Sequence, residues 1–365
     1  MAVIGGVSAP AAAARAAVAP ARRARAEGAA GLSHLQLAGQ RVVVSYPGLT
    51  PPGSLLAGIR NGQVAGVIFF GENIASETQV AGVIRQLRQA QARSPVKVPL
   101  LLMTDQEGGL VRRLPGQPAA SEKQIGQSAH PVAAAAAAGT GAGRNLAAVG
   151  MNVNLAPVLD VYYETGNFDD QYQRSYSSDP AVVAECGRAF ITALQQSGVA
   201  AAAKHFPGLG SAARNQDTDT GPVTVQVSLT RLRTFDEVPY RAAVDARVKL
   251  VMVSWAVYPA LDARLPAGLS PVVIGQELRG RNGFTGVTIT DALEAGALSA
   301  FGATGQRAVA AAGAGMDLIL CSARDASQGE AATAALASAL ARGKLDPAAF
   351  NAAVKRVTAL RAGLV

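Results

Sequence analysis

Asp105, Gln106, Glu107, Asp160, Lys204, His205 and Asp291 each stand at or just beyond the end of a short apolar run in the sequence. Taken singly, a carboxylate in such a place reads as readily as the cap of the following helix. Several of them converging on one rim point instead to a site. Carboxylates with Lys, Arg and His around them suit a polyhydroxylated substrate: they hold sugar hydroxyls while one carboxylate attacks, or stabilises, an oxocarbenium-like centre. Other chemistries lack their residues. The histidines are His34, His130 and His205, with no H-x-H or H-x-x-x-H spacing, so no metal site is expected. There is no G-x-S-x-G for a serine hydrolase.

These residues must be positioned by repeated units, because short β-branched runs alternate with longer helical patterns after Leu32. The runs are Arg41–Ser45, Val64–Phe70, Pro99–Thr104, Asn152–Ala156, Ala200–His205, Lys249–Ser254, Val287–Asp291 and Asp317–Cys321. Eight parallel strands with intervening helices predict an α/β fold, a (β/α)8 TIM-type barrel with its active site at the C-terminal ends of the strands. Helix starts are marked by Ser76-x-x-Gln79, read as a capping box, and by Asp179-Pro180 and Asp346-Pro347. The last opens a terminal helix with Phe350, Val354, Val357 and Leu360 on one face. The glycines of Gly139-Thr-Gly-Ala-Gly143 look like a dinucleotide loop, but they follow the helix-forming run Ala133–Ala138 and precede a strand. They read as packing or a helix break, and no cofactor is called for.

With 49% hydrophobic and 16% charged residues and a mean hydropathy of +0.21, the chain of 365 residues can bury a large core. No run approaches the roughly 18 apolar residues of a membrane span. The net charge is +8, of which three units fall in Met1–Gly31, where Arg15, Arg22, Arg23 and Arg25 face Glu27 alone. The remainder is spread thinly with few aromatics, which argues against a nucleic-acid partner. Cys186 and Cys321 read as buried thiols. Residues 1–31 form an Ala/Arg-rich tail resembling the end of a signal peptide without its positive n-region; the other reading is a disordered extension. The first reading predicts export to the cell envelope or extracellular space, the second a cytoplasmic protein. No linker divides residues 32–365, which are expected to be one domain.

Several segments carry a family resemblance. Met103-Thr-Asp-Gln-Glu-Gly-Gly-Leu-Val-Arg-Arg-Leu114 resembles the D-Q-E-G-G-x-V-x-R-L segment of family 3 glycoside hydrolases, and Lys204-His-Phe-Pro-Gly-Leu-Gly210 their K-H-F-P-G-H-G. Asn154-Leu-Ala-Pro-Val-Leu-Asp160, Arg174-Ser-Tyr176, Tyr258-Pro-Ala-Leu-Asp262 and Val287-Thr-Ile-Thr-Asp291 follow in family order. The subgroup most similar is the single-domain bacterial β-N-acetylhexosaminidases, which act on N-acetylglucosamine-containing glycans such as peptidoglycan fragments. The resemblance implies an exo-acting, retaining enzyme with Asp291 as nucleophile. It implies sugar contacts at Asp105, Arg174, Lys204 and His205, with Arg113 as a further contact, and cis peptides around Pro207.

The pattern breaks where the subgroup carries D-S-H, whose histidine is the general acid/base, on a mobile loop after the fifth strand. Here the aligned residues are Asn215-Gln216-Asp217, followed by Thr218-Asp219-Thr220, and no histidine follows His205. The second histidine of K-H-F-P-G-H-G is Leu209, and Trp255 stands where a histidine often follows the sixth strand. The reading is therefore Asp217 as acid/base, with Asp219 as the alternative; the competing reading is a glycan-binding barrel with lost or weak hydrolysis. An aspartate in that role must stay protonated near the working pH, against an ordinary pKa of about 3.9, through desolvation or the charge of Asp291.

Overall fold

The computed structural model describes residues 31–364. All eight expected runs become strands: β1 (Val42–Val44), β2 (Gly66–Ile68), β3 (Leu101–Thr104), β4 (Val153–Asn154), β5 (Ala200–Phe206), β6 (Leu250–Val253), β7 (Val287–Thr290) and β8 (Ile319–Cys321). They pair in parallel in the order β7-β6-β5-β4-β3-β2-β1-β8, and a parallel bridge between Ile289 and Leu318 joins the two ends into a barrel. Crossover helices follow each strand in turn: α1 (Gly53–Arg60), α2 (Glu77–Ala92), α3 (Pro131–Val149), α4 (Pro180–Gln196), α5 (Val238–Asp245), α6 (Val272–Arg281, wound with π-type turns), α7 (Thr304–Ala314) and α8 (Ala326–Ala341).

Both faces of each strand are buried, so the strands read as continuous apolar runs rather than alternating ones. Val43, Met103, Ala202, Met252, Ile289 and Leu320 point into the barrel, while Val42, Val44, Val67, Leu102 and Val251 meet the helices. The terminal helix α9 (Pro347–Ala362) sends Val357 into the same interior cluster, joined by Leu364 just beyond it and packed by Leu360. Phe350 and Val354 pack on the outer core. Beside them the buried Arg361 donates to the carbonyls of Pro99 (2.7 Å) and Val98 (3.2 Å).

The expected helix starts hold at Asp179, which accepts from Ala181 N, and at Asp346, which accepts from Ala348 N and Ala349 N. Ser76 also caps α2, but the Gln79 side chain accepts from Ala75 N, so the reciprocal capping box is not formed. The Gly139–Gly143 segment lies inside an unbroken α3, which rules out a helix break. A Cβ on Gly139 would fall 2.4 Å from the Phe190 carbonyl oxygen, and one on Gly143 2.5 Å from Ser197 Cβ. The glycines let α3 sit directly on α4 and the turn after it. Cys186 and Cys321 are buried and free. Among the described residues no helix is long and apolar enough to cross a membrane. The reading of the tail concerns residues 1–30, which lie outside the described residues, and Gly31.

Candidate active site

At the C-terminal ends of the strands a cleft of about 320 Å³ collects Asp105, Arg113, Arg174, Lys204, His205, Asp217, Asp219 and Asp291. Every residue expected at the site is thus brought to one place, from β3, β5, β7 and the loops after β3, β4 and β5. The local reasons are visible in the chain. Past Asp105 the backbone turns into a hairpin, Gln106–Gly108 against Val111–Arg112, which the sequence shows only as polar residues and glycines. Gln106 is a structural member of this group: its buried amide bonds Leu114 N (3.0 Å), Leu114 O (2.8 Å) and Gln117 O (2.9 Å). Asn154 on β4 then exchanges two bonds with the Gln106 backbone, at 2.9 and 3.0 Å.

The charges in the cleft are paired. Lys204 Nζ bridges Asp105 Oδ1 (2.8 Å) and Glu107 Oε1 (2.7 Å), and Arg174 forks onto Glu107 at 3.0 and 2.9 Å. Burial would push the Glu107 carboxyl up; the two cations outweigh it and hold the carboxyl down at about 2. Burial likewise disfavours a charged Lys204, and the two carboxylates more than restore it. His205 Nδ1 lies 2.7 Å from Asp160 Oδ2, and Asp160 also accepts from the backbone N–H of His205 and of Leu209. Burial opposes charging of the imidazole, but the Asp160 carboxylate prevails and raises its pKa. With Nδ1–H given to Asp160, the Nε2 side faces the cleft, 3.5 Å from Arg174 Nη2. Ser175 Oγ donates to the Asp160 carbonyl, so the Arg174-Ser-Tyr176 segment ties the guanidinium to the His205 support. The Lys204–His205 and Phe206–Pro207 peptides are both cis.

Asp291 follows β7 directly, and its Oδ1 accepts the N–H of Ala292 at 2.8 Å. Trp255, buried, donates its indole N–H to the Ala292 carbonyl at 2.8 Å and thereby anchors the backbone beside Asp291. Asp217 and Asp219 lie in the same cleft with different local roles. Asp217 Oδ1 accepts the backbone N–H of Asp219 at 2.8 Å, a local turn of the kind aspartate commonly makes. The Asp219 side chain keeps an open surface, but the protein around it, then the charges of Asp291 and Asp217, push its carboxyl up to about 6.

Sequence reasoning assigned no role to Glu107 or Asp160, although both had been marked by their places near strand ends. It missed Asp169 entirely. That carboxyl is fully buried, has no hydrogen-bond partner among the described residues for either oxygen, and is pushed up to about 7 by burial and then by Asp160. No pattern in the sequence distinguishes it from Asp170, which pairs with Lys123 at 2.5 Å.

A closed barrel whose rim joins paired charges to three further carboxyls, with an exposed aromatic, Tyr172, at its edge, defines a barrel enzyme for a polyhydroxylated substrate. Residues 47–360 match the glycosyl hydrolase family 3 N-terminal domain, and the chain belongs to this family of glycosidases. It is 48% identical over 329 residues to an uncharacterised secreted glycosyl hydrolase of Arthroderma benhamiae, covering 90% of this chain and 93% of the relative. Among solved structures it is similar to a family 3 β-N-acetylglucosaminidase from Paenibacillus sp. str. FPU-7, with TM-score 0.85, 36% identity and coverage of 91% of this chain and 63% of that one. The β-N-acetylhexosaminidase of Beutenbergia cavernae DSM 12333 gives TM-score 0.82 and 33% identity, over 91% of this chain and 99% of that one.

Proposed function

We propose that this glycosidase removes terminal β-linked N-acetylhexosamine, N-acetylglucosamine above all, from glycans such as peptidoglycan fragments, with retention of configuration. The β-N-acetylglucosaminidase and β-N-acetylhexosaminidase named above support the sugar. The observation that carries the mechanism is the carboxyl pair in one cleft: Asp291 directly after β7, and Asp219 on a loop whose carbonyl accepts the N–H of Gly296 just beyond Asp291.

In the first step Asp291 attacks the anomeric carbon while Asp219 gives its proton to the departing glycosidic oxygen, which leaves as an alcohol. In the second step the Asp219 carboxylate takes a proton from water as that water attacks the anomeric carbon and releases Asp291. Asp105, Lys204, His205, Arg174 and Arg113 hold the sugar hydroxyls. Of the two loop aspartates we assign the acid/base role to Asp219 rather than to Asp217, the first expectation: Oδ1 of Asp217 accepts the N–H of Asp219, while the surroundings of Asp219 and then the charge of Asp291 push its carboxyl up to about 6. The reading of a glycan-binding barrel without hydrolysis is not favoured: the chain is a family 3 glycosidase, and two residues beyond the place of the missing histidine Asp219 offers a carboxyl pushed up to about 6. We further read residues 32–365 as one catalytic barrel domain and the protein as exported, a reading the secreted relative supports.

The test is Asp291→Asn assayed on an aryl β-N-acetylglucosaminide. Turnover should fall by roughly 10³-fold or more while sugar affinity and melting temperature stay near the parent values. Near-normal turnover would remove the nucleophile assignment.

A further inference from the structure

The loop that carries Asp217 and Asp219 is seated on the segment that runs on from Asp291. The Asp219 carbonyl accepts the N–H of Gly296 at 2.9 Å, and the Thr218 carbonyl accepts the N–H of Ala297 at 3.0 Å. Gly296 and Ala297 open the 3-10 turn Gly296–Phe301, five residues after Asp291. The same segment is fixed on its other side: Leu293 N donates to Leu320 O on β8 at 3.0 Å, and Trp255 holds the Ala292 carbonyl.

Gly296 is the point of closest approach. A Cβ there would fall 2.5 Å from the carbonyl carbon and oxygen of Thr220 and 2.9 Å from Gly221 N. These are backbone atoms and cannot swing aside as a long side chain would. Glycine at this position is therefore what lets the two segments touch and both bonds form.

We propose that Gly296 is a positioning residue: it lets the acid-bearing loop seat on the nucleophile's own segment, so that these backbone contacts act as a latch that sets where Asp219 stands relative to Asp291. The proposal rests on the assignment of Asp219 as acid/base. Its physical basis is that a retaining pair needs its carboxyls about 5–5.5 Å apart, and that displacement of a catalytic group by about 1 Å costs on the order of 10²-fold in rate.

The experiment compares Gly296→Ala, which pushes the loop away, with Ala297→Pro, which deletes one latch N–H at a helix-start position where proline is tolerated. Both are assayed on an activated 4-nitrophenyl and an unactivated alkyl β-N-acetylglucosaminide over a pH series, with melting temperature measured in parallel. The expected result is that kcat/KM for the activated substrate stays within about threefold of the parent while that for the alkyl glycoside falls by at least about 30-fold, since a good leaving group needs little acid help. The alkaline limb of the pH profile should also move to lower pH, because Asp219 loses part of the charge of Asp291. If Gly296→Ala does not fold, Ala297→Pro alone decides. An equal loss on both substrates, or no loss with an unmoved limb, overturns the latch when Asp219→Asn still discriminates between leaving groups. If Asp219→Asn does not discriminate either, the acid assignment falls and the latch with it.

Discussion

Asp217 and Asp219 are two residues apart and identical in type, and the proposed mechanism gives them different roles. One oxygen of Asp217 accepts the turn N–H of Asp219, and the charge of Asp291 is among the causes that raise the Asp219 carboxyl. The pH dependence follows. Asp219 carries its proton below about 6 and loses it above, so kcat/KM for poor leaving groups should decline as pH rises through that value. Asp219→Ala should lower the alkyl glycoside rate by roughly 10²-fold or more, abolish that decline, and recover part of the activity with azide, which replaces the missing base. Asp217→Asn keeps the turn acceptor but removes a negative neighbour, so it should move the decline to lower pH. A rate profile for Asp219→Ala superimposing on the parent, with Asp217→Ala defective instead, would return the role to Asp217.

The crossover helices decide how closely the outer layer can wrap the barrel. α3 crosses α4 through Ala135, Gly139, Ala142 and Gly143, and the Phe190 carbonyl occupies the space a side chain on Gly139 would need. Gly139→Ala should therefore destabilise the fold by about 1–3 kcal/mol, the ordinary cost of overpacking, even though alanine favours a helix. Urea unfolding checks it; a neutral or stabilising result would show that the α3–α4 crossing can relax outward. The eight barrel strands were legible because a strand buried on both faces must be apolar throughout. The hairpins Gln106–Arg112 and Val257–Pro266 were not, because strands of two to five residues within polar loops leave no period to read.

Across the whole molecule, buried carboxyls couple the site to stability. Burial is the main cause that raises Asp169, Asp236 and Glu237, each to about 7; Asp236 keeps a 2.8 Å bond from the Tyr163 hydroxyl. A carboxyl whose folded pKa lies above its unfolded one binds protons more tightly when folded. Its contribution is fully present below the unfolded value of about 4 and is lost as pH rises through the folded value. Stability should therefore fall between pH of about 4 and 7 from these groups. Asp169→Asn, which copies the neutral acid, should flatten that decline and melt higher than the parent at pH 8. A steeper decline in the variant, or a lower melting temperature at pH 8, would show that Asp169 is ionised and held by its neighbours.

By itself the sequence determined the eight strands, the capped helices and the chemical classes gathered at the rim, because these depend on local periodicity and on residues that end apolar runs. Asp105, Lys204, His205 and Asp291 were readable because each sits within or directly after a barrel strand. What only the tertiary structure decided were relations between residues distant in the chain: Arg174 and Lys204 clamping Glu107, Asp160 holding His205, and Asp169 buried without a hydrogen-bond partner among the described residues. The choice between Asp217 and Asp219 belongs to that second kind. Neighbouring positions of one loop carry the same chemistry in sequence, and the preference for Asp219 rests on contacts the fold makes: the turn bond from its N–H to Asp217, and the seating of its loop on the segment after Asp291.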